Sequence, residues 1–498
     1  MHRWKFPVLF GLLLVVAAAG GGGTAQAATT RGWTGAVNSN WTTAGNWSPA
    51  GVPVNGDSVV VAAEGAHITG VPLGLTIEAL YLGANVEISG EPLKISSAIT
   101  VTRANIVPTL DLVVVLNGNV LVSVPPEATL RLRRRVSPLG TVAVTMAGRT
   151  LTKANGGDVE LSGDVVGAGT LAATGGQISI LYPLTFGGTV SLGPGTDGYL
   201  TKRGTNPILC GSAPGARFVL TSAHLGTGCN NGVNSVGSLS GQGSLSLSDR
   251  FSIVVTGDTF DGDLTGTSSA VFTCCAQGVQ TLQGESKFFT GTISVTGGSL
   301  LLEGATFPAA AQFTAQGAGA FPAGLGGFGT FGQTIMTTAV LDLASVNGNF
   351  GLARFPFLQL APDVTVEYEF KGATPGIGFR QVVMSGEVFL DNALLSLDFN
   401  GYQPPAGQAL TLIKGATALF DTFHNAADNK NLPEGATFTA DGMQFTITYK
   451  GGTGHDVVIA RQAGAATPTP TPPPPATPTP TPGQTKFKRF VPFVARDS

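Results

Sequence analysis

Between Val59 and Phe370 the chain is built from short apolar runs that alternate with polar residues and stop at Gly, Asn or Pro. Leu75/Ile77, Val86/Ile88, Leu93/Ile95, Ile99/Val101, Val120/Val122/Val124 and Leu130/Leu132 each place apolar side chains on one face at period two. Helical recurrence at i, i+3 and i+4 is nearly absent. A strand this short cannot bury a core alone, but many stacked in coils share one, which is the logic of a solenoid.

Composition agrees. Only 11% of residues are charged, against roughly 25% in ordinary soluble domains. There are 71 glycines, yet 43% of residues are hydrophobic, so the chain is not disordered in the low-hydrophobicity, high-charge sense. The formal charge is −3 over the whole chain and −5 without Arg3 and Lys5, which excludes a nucleic-acid binder acting through a global positive field.

An internal repeat supports stacking. Gly169-Thr-Leu-Ala-Ala-Thr-Gly-Gly176-Gln-Ile-Ser-Ile180 recurs as Gly291-Thr-Ile-Ser-Val-Thr-Gly-Gly298-Ser-Leu-Leu-Leu302, and Val159–Gly163 matches Gln280–Gly284 upstream. A related fragment, Val236–Leu247, lies between them. The repeat reads as a strand, a Gly-Gly corner taking positive φ, and a second strand, with Leu171, Ile178, Ile180, Ile293, Leu300 and Leu302 inward.

This pattern resembles the autotransporter-associated β-strand repeat of bacterial passenger domains. The opening Trp33-Thr-Gly35, Asn40-Trp41, Asn46-Trp47, Pro53 and Asp57 resembles the start of such surface proteins. Val382–Ile459, with Pro405-Ala-Gly-Gln-Ala-Leu-Thr-Leu-Ile413 and Phe445–Val458, is similar to their closing segment. The likeness covers most of residues 31–461. It implies a right-handed parallel β-helix used as a scaffold for adhesins and surface proteins, and no reaction. Autotransporters end in a membrane β-barrel; the residues after Arg461 leave no room for one, so export by another route is expected.

The expected organisation is a signal peptide over 1–27, a Trp-rich cap over 28–60, parallel β-helix repeats over 61–370, a smaller all-β closing segment over 371–461, a Pro/Thr linker over 462–485 and a basic aromatic tail over 486–498. The leader carries Arg3 and Lys5, an uncharged Phe6–Ala19 stretch and an Ala25-Gln26-Ala27 cleavage site. No later stretch is long and apolar enough to span a membrane as a helix. Thr467–Pro482 holds nine prolines in 16 residues, a semi-rigid spacer reaching roughly 50 Å. Lys486–Arg496 is similar to terminal sequences that follow Thr/Pro linkers in some secreted bacterial proteins, and reads as a sorting tag. Roughly 15–18 coils at about 4.8 Å each predict a rod of about 70–90 Å.

Each candidate site has a plainer structural reading. Trp33, Trp41 and Trp47 are the only aromatic platform for a sugar, but their Gly, Asn and Pro punctuation suits an end cap better. Asp258, Asp261 and Asp263 with Gly262 are the densest carboxylates and the candidate Ca²⁺ ligands; Asp and Gly are also ordinary turn residues. Gly451–Val458 fits one calcium nonapeptide, read here as a turn into a last strand. Gly324–Gly329 satisfies Gly-x-Gly-x-x-Gly without a helix after it, and Phe313–Phe331 reads as a loop or irregular coil packing its Phe rings. Arg131-Leu-Arg-Arg-Arg135 is the one basic run, facing outward; it reads first as a solvated face, and otherwise as blunting an edge or touching acidic polymer.

Cys210, Cys229, Cys274 and Cys275 suit an oxidising compartment. Cys210 and Cys229 can close a short loop, the adjacent pair points to opposite strand faces, and three connectivities stay open. Nothing suggests zinc. The four His of the mature chain (His67, His224, His424 and His455) sit in unrelated contexts, and no paired carboxylates mark a glycosidase. The expectation is a secreted or surface structural or adhesive protein, not an enzyme, with no cofactor. Its partners are the cell envelope, extracellular polysaccharide or neighbouring surface proteins. The rivals are a secreted polysaccharide lyase or glycosidase, and a non-catalytic carbohydrate-binding protein.

Overall fold

In the computed structural model, Val59 sits beside Leu80 on the next strand, Leu80 beside Ile99, and Ile99 beside Val122. The column continues through Lys153, Ala173, Leu192, Leu220, Gly241, Phe260, Leu282 and Leu302 to Gly327. Every pairing in it is parallel. The structure describes residues 28–134, 142–181, 185–201, 213–228, 234–248, 250–254, 257–273, 278–317 and 323–463. Among these there is no α-helix, and strands dominate.

Each coil visits three faces. The first carries the column just traced. On the second, Ile68, Ile88, Leu110, Leu132, Leu161, Ile180 and Leu200 stack. On the third, Leu93, Val114, Val144 and Val165 do the same. The alternation that marks the strands in sequence becomes an inside and an outside: Thr150–Ala154, Asp158–Ser162 and Thr170–Ala173 bury every second residue. Leu171, Ile178, Ile180, Ile293, Leu300 and Leu302 all lie in the core. At the repeat's corner Gly176 adopts φ +63, and a Cβ there would run into the Gly157 carbonyl. Backbone hydrogen bonds run along the stack axis, which is how one hydrophobic column serves many strands. About seventeen layers give a length of roughly 80 Å.

The stack is covered at both ends. Thr30–Trp33 pairs in parallel with Ser58–Val61 and antiparallel with Trp47–Ser48. Arg31 Nε lies 2.7 Å from Asp57 Oδ2. Burial alone would raise the Asp57 carboxyl, but the Val54 and Thr29 amides and Arg31 outweigh it and hold it below the ordinary carboxylate range. Buried Asn46 shapes the turn: its Oδ1 accepts from the Val37 and Asn38 amides, and its Nδ2 donates to Asn38 Oδ1 and the Asn40 carbonyl.

At the other end, Ala409–Lys414 pairs in parallel with Gln381–Met384 on one edge and antiparallel with Asp456–Arg461 on the other. Met443–Gly451 and Thr437–Ala440 extend that antiparallel sheet. The last coils therefore run past the expected boundary at 370: Val366 stacks on Leu395, and Leu395 on Asn425. The closing segment is part solenoid, part antiparallel sheet. A second correction concerns Phe313–Phe331. Gln312–Gln316 and Ala323–Thr330 are strands, not an irregular coil. At Gly327 (φ +87) an added Cβ would strike the Leu302 carbonyl, so the glycines permit close parallel pairing where they suggest a loop. The Phe rings do pack, with Phe313–Phe331 centroids 5.6 Å apart and Phe331–Phe355 stacked at 4.4 Å.

Candidate functional site

The second face gathers a column of titratable side chains near the amino-terminal end. His67, Glu87, Thr109, Arg131, Glu160 and Ser179 form one outward column. Arg131 Nε lies 3.1 Å from Glu160 Oε2, and Arg133 Nη2 lies 3.2 Å from Glu87 Oε2 with Asp111 at 3.7 Å from its Nε. Arg131 and Arg133 do face outward, but acidic side chains on adjacent coils already meet them. A basic patch waiting for an acidic polymer is not what these two form.

The neighbouring column on the same face reads Thr129, Asp158, Gln177, Asp197, His224, Ser244 and Asp263. His224 Nδ1 lies 2.8 Å from Ser244 Oγ, one coil on. Both flank an open groove of about 400 Å³ whose lining also includes Asp197 and Ser222. Sequence reasoning set His224 aside as one of four scattered histidines. The signal was register: Asp197 and His224 are 27 residues apart but His224 and Ser244 only 20, so the column is invisible to a fixed spacing.

Two further polar residues escaped the sequence reading because they occupy core positions. Lys153 stands between Val122 and Ala173 in the apolar column, fully buried. Its ammonium donates to the Asn155 carbonyl at 2.7 Å and to the Gly175 carbonyl. Burial pulls its pKa down to about 8, against the opposing pull of Asp158. Arg380, also fully buried, donates from Nε to the Phe350 carbonyl at 2.6 Å, from Nη2 to Asn349 at 3.2 Å, and from Nη1 to Ala344. Burial lowers its pKa to about 10 although Asp342 and Glu369 oppose this. Periodicity marks both positions as inward without saying that a carbonyl there needs a donor.

The sequence candidates fare as follows. Trp33, Trp41 and Trp47 are 8%, 0% and 3% exposed and meet edge-to-face, with Trp33–Trp47 at 4.9 Å and Trp41–Trp47 at 4.8 Å. Trp47 Nε1 donates to the Trp41 carbonyl at 2.7 Å. Rings packed against one another over the first coil present no face to a sugar, which corrects the platform reading. Asp258, Asp261 and Asp263 are dispersed among separate partners: Arg217 Nη2 at 2.7 Å, Gln242 Nε2 at 3.0 Å and the Glu285 amide at 2.9 Å respectively. Among the described residues no three His, Cys, Asp or Glu side chains come together as a metal site.

Gly451 pairs with Asp456 across a hairpin turn, and the Asp456 carboxylate accepts from the Gly415 amide at 2.8 Å, tying the turn to the last coil instead of facing a cation. Gly324–Gly329 lies inside a strand. Cys210, Cys229, Cys274 and Cys275, the signal peptide, the spacer and the tail lie outside the described residues.

No described helix is long and apolar enough to cross a membrane. No family model matches the chain, and no curated protein matches it. Among solved structures, it is similar to the crystal structure of the Haemophilus influenzae Hap adhesin at 9% identity and a TM-score of 0.25, with 82% of this chain covered. The match spans 63% of that chain's length.

Proposed function

We propose that this protein is a secreted or cell-surface structural or adhesive rod, displayed from the bacterial envelope. The observation that carries the reading is the succession of parallel-paired coils from the Trp cap to the antiparallel closing sheet. A shared core with hydrogen bonds along the axis gives a stiff body whose length is added coil by coil. With 11% of its residues charged, the rod offers a weakly charged surface suited to contacts with polysaccharide or neighbouring surface proteins. In this reading the Pro/Thr spacer of Thr467–Pro482 holds the rod away from the cell, and Lys486–Ser498 retains it there.

The test is deletion of Lys486–Ser498, followed by cell fractionation and an adherence assay on the same cells. Release of the rod into the medium with loss of adherence is expected. Unchanged surface retention and adherence would remove the display role.

A further inference from the structure

The geometry points to Ser244 as an acyl-accepting nucleophile, with His224 as its base, in a site on the second face that hydrolyses small exposed esters. This goes beyond the display role and rests on different observations. Asp197, His224 and Ser244 are register partners on three consecutive coils. Each points away from the core: Thr196 and Gly198 are buried beside Asp197, Ala223 and Leu225 beside His224, and Leu245 beside Ser244. Parallel in-register strands hold such side chains about 4.8 Å apart. That places an imidazole between a carboxylate and a hydroxyl, in the order that orients and activates a serine.

The hydroxyl is already engaged, with Oγ 2.8 Å from His224 Nδ1. The backbone beside it is unusual as well. Ser222, on the groove wall, has φ +52 and is the extra residue where the register shifts between Thr221 and Ala223. A bulge in that position re-aims the side chains next to it. The groove is open and polar, which suits a short acyl group on a hydrated alcohol better than a fatty chain.

The reaction is balanced by water alone. Ser244 Oγ bonds the acyl carbon while its proton passes to His224 Nδ1. The C–O bond to the alcohol breaks, and the departing alkoxide takes that proton. Water then attacks the acyl carbon, gives a proton to His224, and the acyl–Oγ bond breaks as Ser244 is reprotonated. Ester and water become acid and alcohol, with no change of oxidation state. Asp197, the register partner of His224 one coil earlier, is assigned as a positioning residue; Asp158 and Asp263 lie further along the same column.

The experiment treats the full chain with a fluorophosphonate probe, maps the labelled peptide, and follows p-nitrophenyl acetate hydrolysis against pH. Label on Ser244 is expected, with a rate that rises as imidazole loses its proton. Ser244→Ala should abolish the label, and Ser244→Ala and His224→Ala should each lower the rate on the order of a hundredfold. Added imidazole should partly rescue His224→Ala, which a merely structural role would not allow. Asp197→Asn should lower kcat and leave KM unchanged, as expected of a residue that acts through His224. Thermal unfolding of each variant confirms that it is folded. No label on Ser244, equal labelling of wild type and His224→Ala, or absence of imidazole rescue would overturn the proposal.

Discussion

The coils before about Leu302 and those after it solve one packing problem in two ways. In the first group, cross-coil bonds such as Thr102 Oγ1 to the Leu82 carbonyl and Ser89 Oγ to Ile68 join residues 20 and 21 apart. In the second, Gln381 Nε2 reaches the Thr411 carbonyl 30 residues on, and Asn400 Nδ2 reaches Glu369 across 31. The earlier coils fill their interior mainly with Val, Ile and Leu, joined by separate rings such as Phe218 and Phe260, and short Ser and Thr side chains bond the backbone of the preceding coil. Longer coils are wider and carry side loops. Their interior is filled by stacked rings, with Phe370–Phe399 at 4.6 Å and Phe399–Phe445 at 4.9 Å, and their loop carbonyls are met by buried side chains such as Arg380 and Tyr368. The comparison teaches that buried side-chain donors go where coils lengthen: Lys153 itself stands 31 residues after its register partner Val122.

The largest effect should come from Arg380→Met. It leaves the carbonyls of Ala344, Asn349 and Phe350 without their donor, at a cost of about 3–5 kcal/mol. Denaturant unfolding with hydrogen exchange over 342–352 checks this, and a cost below about 1 kcal/mol would mean that long coils do not depend on clamps. Phe399→Ala removes the middle ring of the stack and should cost about 3–5 kcal/mol, against about 2–5 for Leu171→Ala among the short coils. Equal protection losses confined to one coil in both variants would erase the distinction between ring and aliphatic cores.

The two regions should also respond to pH in different windows, each gaining stability as pH rises. Lys153 titrates near 8 in the fold and near 10.5 as an unperturbed group. Between those values the unfolded chain holds the extra proton, so the earlier coils gain stability as pH rises, by up to about 3 kcal/mol. Lys153→Met should flatten that slope. Glu369 acts in a lower window. Burial would raise it, but Lys371, Ser345 and Asn400 outweigh burial and hold it at about 2 against an ordinary 4.5. Its contribution to the long coils is whole above 4.5 and lost as pH falls towards 2. Region-resolved hydrogen exchange at pH 3, 7 and 10 separates the two; parallel pH responses in both regions would contradict it. The smallest effect is expected for Glu160→Gln, whose half-exposed partner Arg131 limits the loss to less than about 1 kcal/mol, shrinking further in salt.

Much of the fold was legible because alternation at period two survives as inside and outside. Leu171, Ile178, Ile180 and their counterparts at 293, 300 and 302 are core, as the repeat indicates. The boundary at 370 was not legible, because a coil of 30 residues dilutes the same alternation with loop residues. The Gly-rich Ala323–Thr330 strand misleads for a related reason: glycine marks close backbone approach as well as turns. Lys153 and Arg380 were hidden by the rule that charged residues face water. The Asp197–His224–Ser244 column was hidden because neighbours along the axis are far apart, and unevenly so, in sequence.

The central claim is that the apolar runs pile into one axial stack, and distances along a single outer column test it most directly. Ser252, Val271, Ser294, Thr314, Ile335, Gln359, Phe389 and Phe420 are consecutive register partners on the third face. With the four native cysteines replaced by serine, spin labels at Ser252 and, in turn, at Ile335, Gln359 and Phe420 report separations by pulsed dipolar spectroscopy. The stack predicts backbone spacings of about 19, 24 and 34 Å, growing by about 4.8 Å per coil. Distances that do not increase in that order, or that broaden into several populations, would contradict it.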